Sequence, residues 1–223
     1  VSRTITQLAT ESFILPQLAE TLVKAVSGTR KVMVLVGQGR WSDGLRKNLE
    51  RLAELPQVVV LTEATSNLDS NAFITAIDRV IEGANDANGT PLRPDLLITF
   101  GGAVISKRIK GLLRFWRPTQ HWNIDPGQRH ADTYQSLTHD IAVQPDMFLA
   151  QLMEHVRPCE SRYKEDWEAL DRHTLAIHLN VLADAPWSDL ALFDTLLDRI
   201  PERSDVHLAN STPARYAQLF QRG

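Results

Sequence analysis

Lys107 and Arg215 each follow an apolar run at a point where a strand is expected to hand over to a helix. In open α/β sheets ligands bind at that edge, and a cation there can hold an anion. The first of the two lies in TFGGAVISKRIK, Thr99 to Lys110, directly after Leu96-Leu97-Ile98. The positive end of the helix dipole disfavours cations in a first turn. Lys107 is therefore explained if it answers an anion that the free backbone N–H groups after Gly101-Gly102 also hold; a plain surface lysine is the other reading. In the second segment, Asn210-Ser211-Thr212-Pro213-Ala214-Arg215, Thr212 is the expected N-cap, Pro213 the first helical residue and Arg215 a member of the first turn. Ser211 and Arg215 together could grip a carboxylate, the guanidinium through two parallel bonds and the hydroxyl through a third. The alternative is a capped helix whose arginine faces solvent.

Other motifs carry less. Gly37-Gln38-Gly39 is not a dinucleotide fingerprint, because Ser42 stands where a third glycine is needed, and the glycine-lysine-serine ending of a P-loop is missing. Turn formation accounts for these glycines. Asn67, Asp69, Asn71 and Asp78 resemble the oxygen spacing of a calcium loop, but Ala72 occupies the place of its glycine, which leaves a polar loop ending in a helix cap. His155 and Cys159 are separated by Pro158, which breaks the helix that would align them, so no metal site is expected. No G-x-S-x-G element or other recognisable nucleophile setting occurs.

The elements that must hold Lys107 and Arg215 follow from apolar spacing. Leu15, Leu18, Leu22 and Val26 predict a helix opened by Pro16 and stopped at Ser27-Gly28. Residues 31–38 form a near-continuous apolar run closed by glycine, as a strand buried on both faces requires. Helix is predicted over 42–55, strand over 58–63, helix over 71–82, polar loop over 83–94, strand over 96–100 and helix over 104–116. Short strands follow at 122–125 and 136–143. In the helix after Gly102, Ile105, Ile109, Leu112 and Trp116 form the core stripe, while Lys107, Lys110 and Arg114 lie opposite, the last two as solvated charges. This alternation predicts an α/β fold: a doubly wound, mostly parallel sheet flanked by helices. Two consecutive helices, 159–185 and 187–200, then break it, before a strand at 205–210 and a last helix. The expected organisation is a lead-in linker over 1–14, a central α/β domain over 15–156 and a helical connector over 157–203; the strand and helix over 204–223 either join the first sheet or open a further domain.

The 223 residues are 43% hydrophobic and 23% charged, with a net charge of -3, so nothing drives the chain as a whole toward nucleic acid or an anionic membrane. No apolar run reaches the roughly 20 residues of a membrane span. A single cysteine, Cys159, allows no internal disulfide and suits a reducing compartment, so a cytoplasmic location is expected. Val1 and the lead-in VSRTITQLA suggest a segment of a longer protein.

FGGAVISK, Phe100 to Lys107, and ANSTPAR, Ala209 to Arg215, carry a family resemblance. With VVVLTEATSNL at Val58 to Leu68, the strand after Asp95 and HWNIDP at His121 to Pro126, the sequence resembles the central part of the MenD family, thiamine-diphosphate-dependent synthases of menaquinone biosynthesis. The resemblance implies a central domain with a dihydroorotate-dehydrogenase-like or sirtuin-like sheet, followed by the start of a diphosphate-binding domain. It also implies an enzyme that decarboxylates 2-oxoglutarate and adds the succinyl semialdehyde unit to isochorismate, using thiamine diphosphate and Mg2+ and working as a homodimer or homotetramer. Lys107 falls on the lysine of the family's F-G-x-x-x-x-S-K element, and Ser211 and Arg215 on the serine and arginine of its G-N-S-x-P-x-R element, so these three are expected to contact substrate carboxylates. Ala209 replaces the usual glycine. The family's activating glutamate and Gly-Asp-Gly motif belong to parts outside this sequence, so the fragment alone is expected to be inactive and without cofactor. The competing readings are a self-contained NAD- or FAD-binding domain and a purely structural spacer.

Overall fold

A computed structural model describes residues 6–8, 16–84, 91–127, 132–201 and 204–220. Leu15, most of the predicted lead-in and residues 85–90 of the predicted 83–94 loop lie outside them. Three runs rich in β-branched and leucine residues make the strands β2 (Val32–Val36), β3 (Val58–Thr62) and β4 (Leu96–Phe100), buried at every position. With β1 (Thr6–Leu8), β5 (Gln120–Ile124) and β6 (His139–Ile141) they form a parallel six-stranded sheet of order β1-β6-β5-β4-β2-β3. Val34 stands beside Val60 on one side and Ile98 on the other.

Alternate strand residues serve two cores. Val32, Val34, Val36, Ile98 and Phe100 pack with α1 (Pro16–Gly28), α2 (Asp43–Ala53) and α5 (Pro145–His155) through Val26, Leu49 and Leu149. Met33, Leu35, Leu61 and Leu97 face α3 (Ile77–Glu82), α4 (Lys107–Trp116) and the start of α6 (Tyr163–Asp184) through Ile77, Ile109, Leu113 and Trp167. Helices on both faces explain why the central strands read as unbroken apolar runs. The chain winds outward from β2 to β3 and returns past β2 to β4, so the switch of direction falls at the carboxyl ends of β2 and β4.

Several predicted elements are redrawn. Thr6–Leu8, expected in the lead-in, pairs with His139–Ile141 at a sheet edge. The helix predicted over 71–82 is cut to α3, because Ile74 bridges to Leu61 and covers the other edge: its amide donates to the Val60 carbonyl at 2.9 Å and its carbonyl accepts from Thr62 at 3.0 Å. Residues 205–210 form no strand, since an isolated extended segment with no sheet edge to pair with has no ladder to stabilise it. In α4 the buried stripe is Ile109, Leu113 and Trp116, with Leu112 at its margin. α7 (Asp189–Asp198) and α8 (Thr212–Ala217) complete the chain.

Candidate functional site

Two acids pin the start of α4. Ser106 is the N-cap, its Oγ accepting from the Ile109 amide at 3.0 Å and paired with the Asp78 carboxylate of α3. The amides of Ile105 and Ser106 donate to Glu63 Oε2 and Oε1 at 2.6 and 2.7 Å. Glu63 follows β3 and is buried. Burial pushes its carboxyl above the ordinary range; the two amide bonds pull it down, Asp78 pushes it up and Lys110 pulls it down. The expectation that these N–H groups wait for a ligand anion is therefore corrected: an internal carboxylate already holds them. Lys110 is not a freely solvated charge either, since its Nζ donates to the Val104 carbonyl at 2.9 Å.

The glycines have a packing reason. A Cβ on Gly37 would lie 2.1 Å from the Gly102 carbonyl oxygen. The Gly37 amide donates to Phe100 O at 2.9 Å and the Gly102 amide to Gln38 O at 2.7 Å, so the loops after β2 and β4 close on each other. Gly101 takes the left-handed backbone, φ 88°, that this approach requires. Main chain thus meets main chain at the switch point between β2 and β4, where open α/β sheets take their ligands.

Lys107 instead faces sideways, into a cleft of about 840 Å³ between α3, α4, α6 and α8. Arg215 of α8 lines the same cleft, and Ile105, Ile177, Val181 and Leu219 give it apolar walls. Lys107 and Arg215 are exposed. Arg79 lies beneath them with its side chain 5% exposed; its Nη2 is 2.6 Å from Asp171 Oδ1, and its Nη1 donates to Leu219 O at 3.4 Å. This buried arginine ties α3 to α6 and to the segment after α8. Ser211, the third predicted residue, does not line the cleft. It occupies the N-cap in place of Thr212, with φ 78° and no side-chain cap bond, and its amide donates to Asn210 Oδ1 at 2.7 Å.

Sequence reasoning thus paired Lys107 with Arg215 but missed Glu63, Arg79 and the role of Asp78. An acid directly after a buried strand was the available signal for Glu63. Among the described residues no group of three or more His, Cys, Asp or Glu comes together to hold a metal ion. A separate polar cluster is buried behind α4: His121 Nε2 lies 2.9 Å from Thr99 Oγ1, and its Nδ1 lies 3.4 Å from Ser136 Oγ. Burial lowers the His121 pKa from 6.5 to about 4 against the pull of Asp132.

Residues 16–206 match the family model described as "Middle domain of thiamine pyrophosphate". Among curated relatives, the 2-succinyl-5-enolpyruvyl-6-hydroxy-3-cyclohexene-1-carboxylate synthase of Porphyromonas gingivalis is 32% identical over 227 residues, covering 98% of this chain and 39% of the relative. The synthases of the same name from Flavobacterium psychrophilum and Christiangramia forsetii are 35% and 36% identical, over 90% and 85% of this chain and 36% and 33% of their own length. The chain therefore spans well under half the length of these relatives. A parallel sheet covered by helices on both faces and a family match over most of the chain's residues lead to one conclusion: the chain belongs to the thiamine pyrophosphate enzyme middle-domain family.

Proposed function

We propose that this chain is the central part of a MenD-type synthase, with its α/β domain over about 15–156, a helical connector over 157–203 and the opening of a diphosphate-binding domain over 204–223. In the whole enzyme 2-oxoglutarate is decarboxylated and its succinyl semialdehyde unit is added to isochorismate, in a cytoplasmic homodimer or homotetramer. Thiamine diphosphate, with Mg2+, supplies the carbanion chemistry when bound by the other domains. The task of this chain is to hold substrate carboxylates. Lys107 and Arg215 provide charge from two different elements, with apolar side chains between them. Ser211 adds a hydroxyl from outside the cleft wall, where the other domains complete the site.

The observation that supports this reading is the meeting of Lys107 and Arg215 in one cleft, although one follows a sheet strand and the other closes the chain. The test is the kinetics of the whole enzyme with Lys107→Ala and Arg215→Ala. Each is expected to raise the KM of at least one carboxylate substrate by roughly tenfold or more, the consequence of losing a charge-assisted hydrogen bond. Unchanged kinetics for both substrates refute the role and leave a structural spacer.

A further inference from the structure

Lys107 stands immediately after the two amides that Glu63 holds. Both carboxylate oxygens are used, one on each amide, so the side chain fixes both the position and the tilt of the turn that opens α4. Asp78 grips the same turn from α3 through the Ser106 hydroxyl, which also caps Ile109. Behind the turn, Lys110 Nζ closes on Val104 O at 2.9 Å. A buried carboxylate at a helix start, facing two N–H groups, also compensates the unfavourable placement of a lysine in the first turn.

We propose that Glu63 is a positioning residue for Lys107: its carboxylate, bound to the Ile105 and Ser106 amides, sets the turn from which Lys107 reaches the substrate carboxylate. This rests on the functional reading above and extends it to a residue that never touches the substrate. Because Glu63 already occupies those two amides, they cannot serve as an oxyanion pocket. Recognition in the cleft relies on side-chain cations, and a displaced turn moves Lys107 away from its target. Misplacement by about 1 Å is enough to lose most of such an interaction.

The test has two arms. In the 223-residue chain, Glu63→Gln keeps the side-chain shape but loses the second acceptor oxygen and the charge. Amide hydrogen exchange at residues 105–109 is expected to speed up about tenfold, with the central strands unchanged. Exchange unaltered at these residues, or accelerated throughout the sheet, overturns the proposal. In the whole enzyme, Glu63→Gln is expected to raise the KM of the substrate that Lys107→Ala also affects, with kcat changed less, and to have no further effect in the Lys107→Ala background. A KM increase that persists undiminished without Lys107 overturns the proposal. If Lys107→Ala alone leaves both KM values unchanged, the functional reading fails and the substrate role of Glu63 with it, while the exchange pattern separately decides whether Glu63 holds the turn.

Discussion

The backbone of Gly37 stands against that of Gly102, close enough that a Cβ on Gly37 would lie 2.1 Å from the Gly102 carbonyl oxygen and 2.9 Å from its carbonyl carbon. No rotamer relieves such a clash, because both parties are main chain. Gly37→Ala must therefore force the loops after β2 and β4 apart, breaking the bonds from Gly37 to Phe100 and from Gly102 to Gln38. The expected loss is about 3 kcal/mol, read by urea denaturation. A variant within about 0.5 kcal/mol of the parent, the range of harmless surface changes, refutes the loop-closure account.

Arg79 and Asp171 form an ion pair with side chains only 5% and 14% exposed. Removing one partner leaves the other charged and buried, which costs about 3–5 kcal/mol where such pairs have been broken. Arg79→Met is expected to destabilise by about 3 kcal/mol. Because Arg79 also donates to Leu219 O, exchange protection of α8 should fall more than that of β4. An α8 unaffected by this substitution would show that its docking rests on other contacts, such as Phe193 with Tyr216 and His178 with Phe220.

The central strands were legible because burial on both faces writes itself as an unbroken apolar run, and β2, β3 and β4 follow the predicted runs closely. The start of α4 was legible in kind, since two glycines followed by serine and lysine do mark a strand-to-helix turn. Its partner was not, because Glu63 lies 43 residues earlier and only the folded sheet brings it to Ser106. Ile74 shows the opposite limit: local helical periodicity over 71–82 yields to the need of edge strand β3 for backbone partners. Residues 205–210 fail as a strand for the complementary reason, strand-like composition without an edge to join. Local pattern decides an element only where tertiary hydrogen bonding agrees with it.

His121 is 1% exposed, and burial holds its pKa at about 4, below its ordinary 6.5. The unfolded chain takes up a proton as pH falls below 6.5, whereas the folded chain does not until about 4. This residue's stabilisation is therefore present in full above pH 6.5 and is lost between 6.5 and about 4. The displacement corresponds to roughly 3 kcal/mol. NMR of the imidazole should show the neutral ring in the folded chain at pH 5, and unfolding free energy should fall across that interval. A His121 that titrates near 6.5 while the chain remains folded refutes the buried placement.

Lys107 and Arg215 differ in what each head group can do, and the difference separates a carboxylate site from a spacer. A guanidinium holds a carboxylate through two parallel bonds, whereas an ammonium acts as a point charge that tolerates rotation. In the whole enzyme Arg215→Lys is expected to lose one of two bonds and raise KM about tenfold. Lys107→Arg keeps the charge and at least one donor and should stay within about threefold, since a single surplus bond is worth little where one sufficed. Both residues are exposed, so neither exchange should alter unfolding free energy by more than about 0.5 kcal/mol. The pattern of KM against stability is decisive. A fold that merely spaces two catalytic domains would register neither exchange in KM, while a structural role for Arg215 in docking α8 would register Arg215→Lys in stability first. A KM asymmetry at constant stability is the outcome expected of a bidentate arginine beside a monodentate lysine.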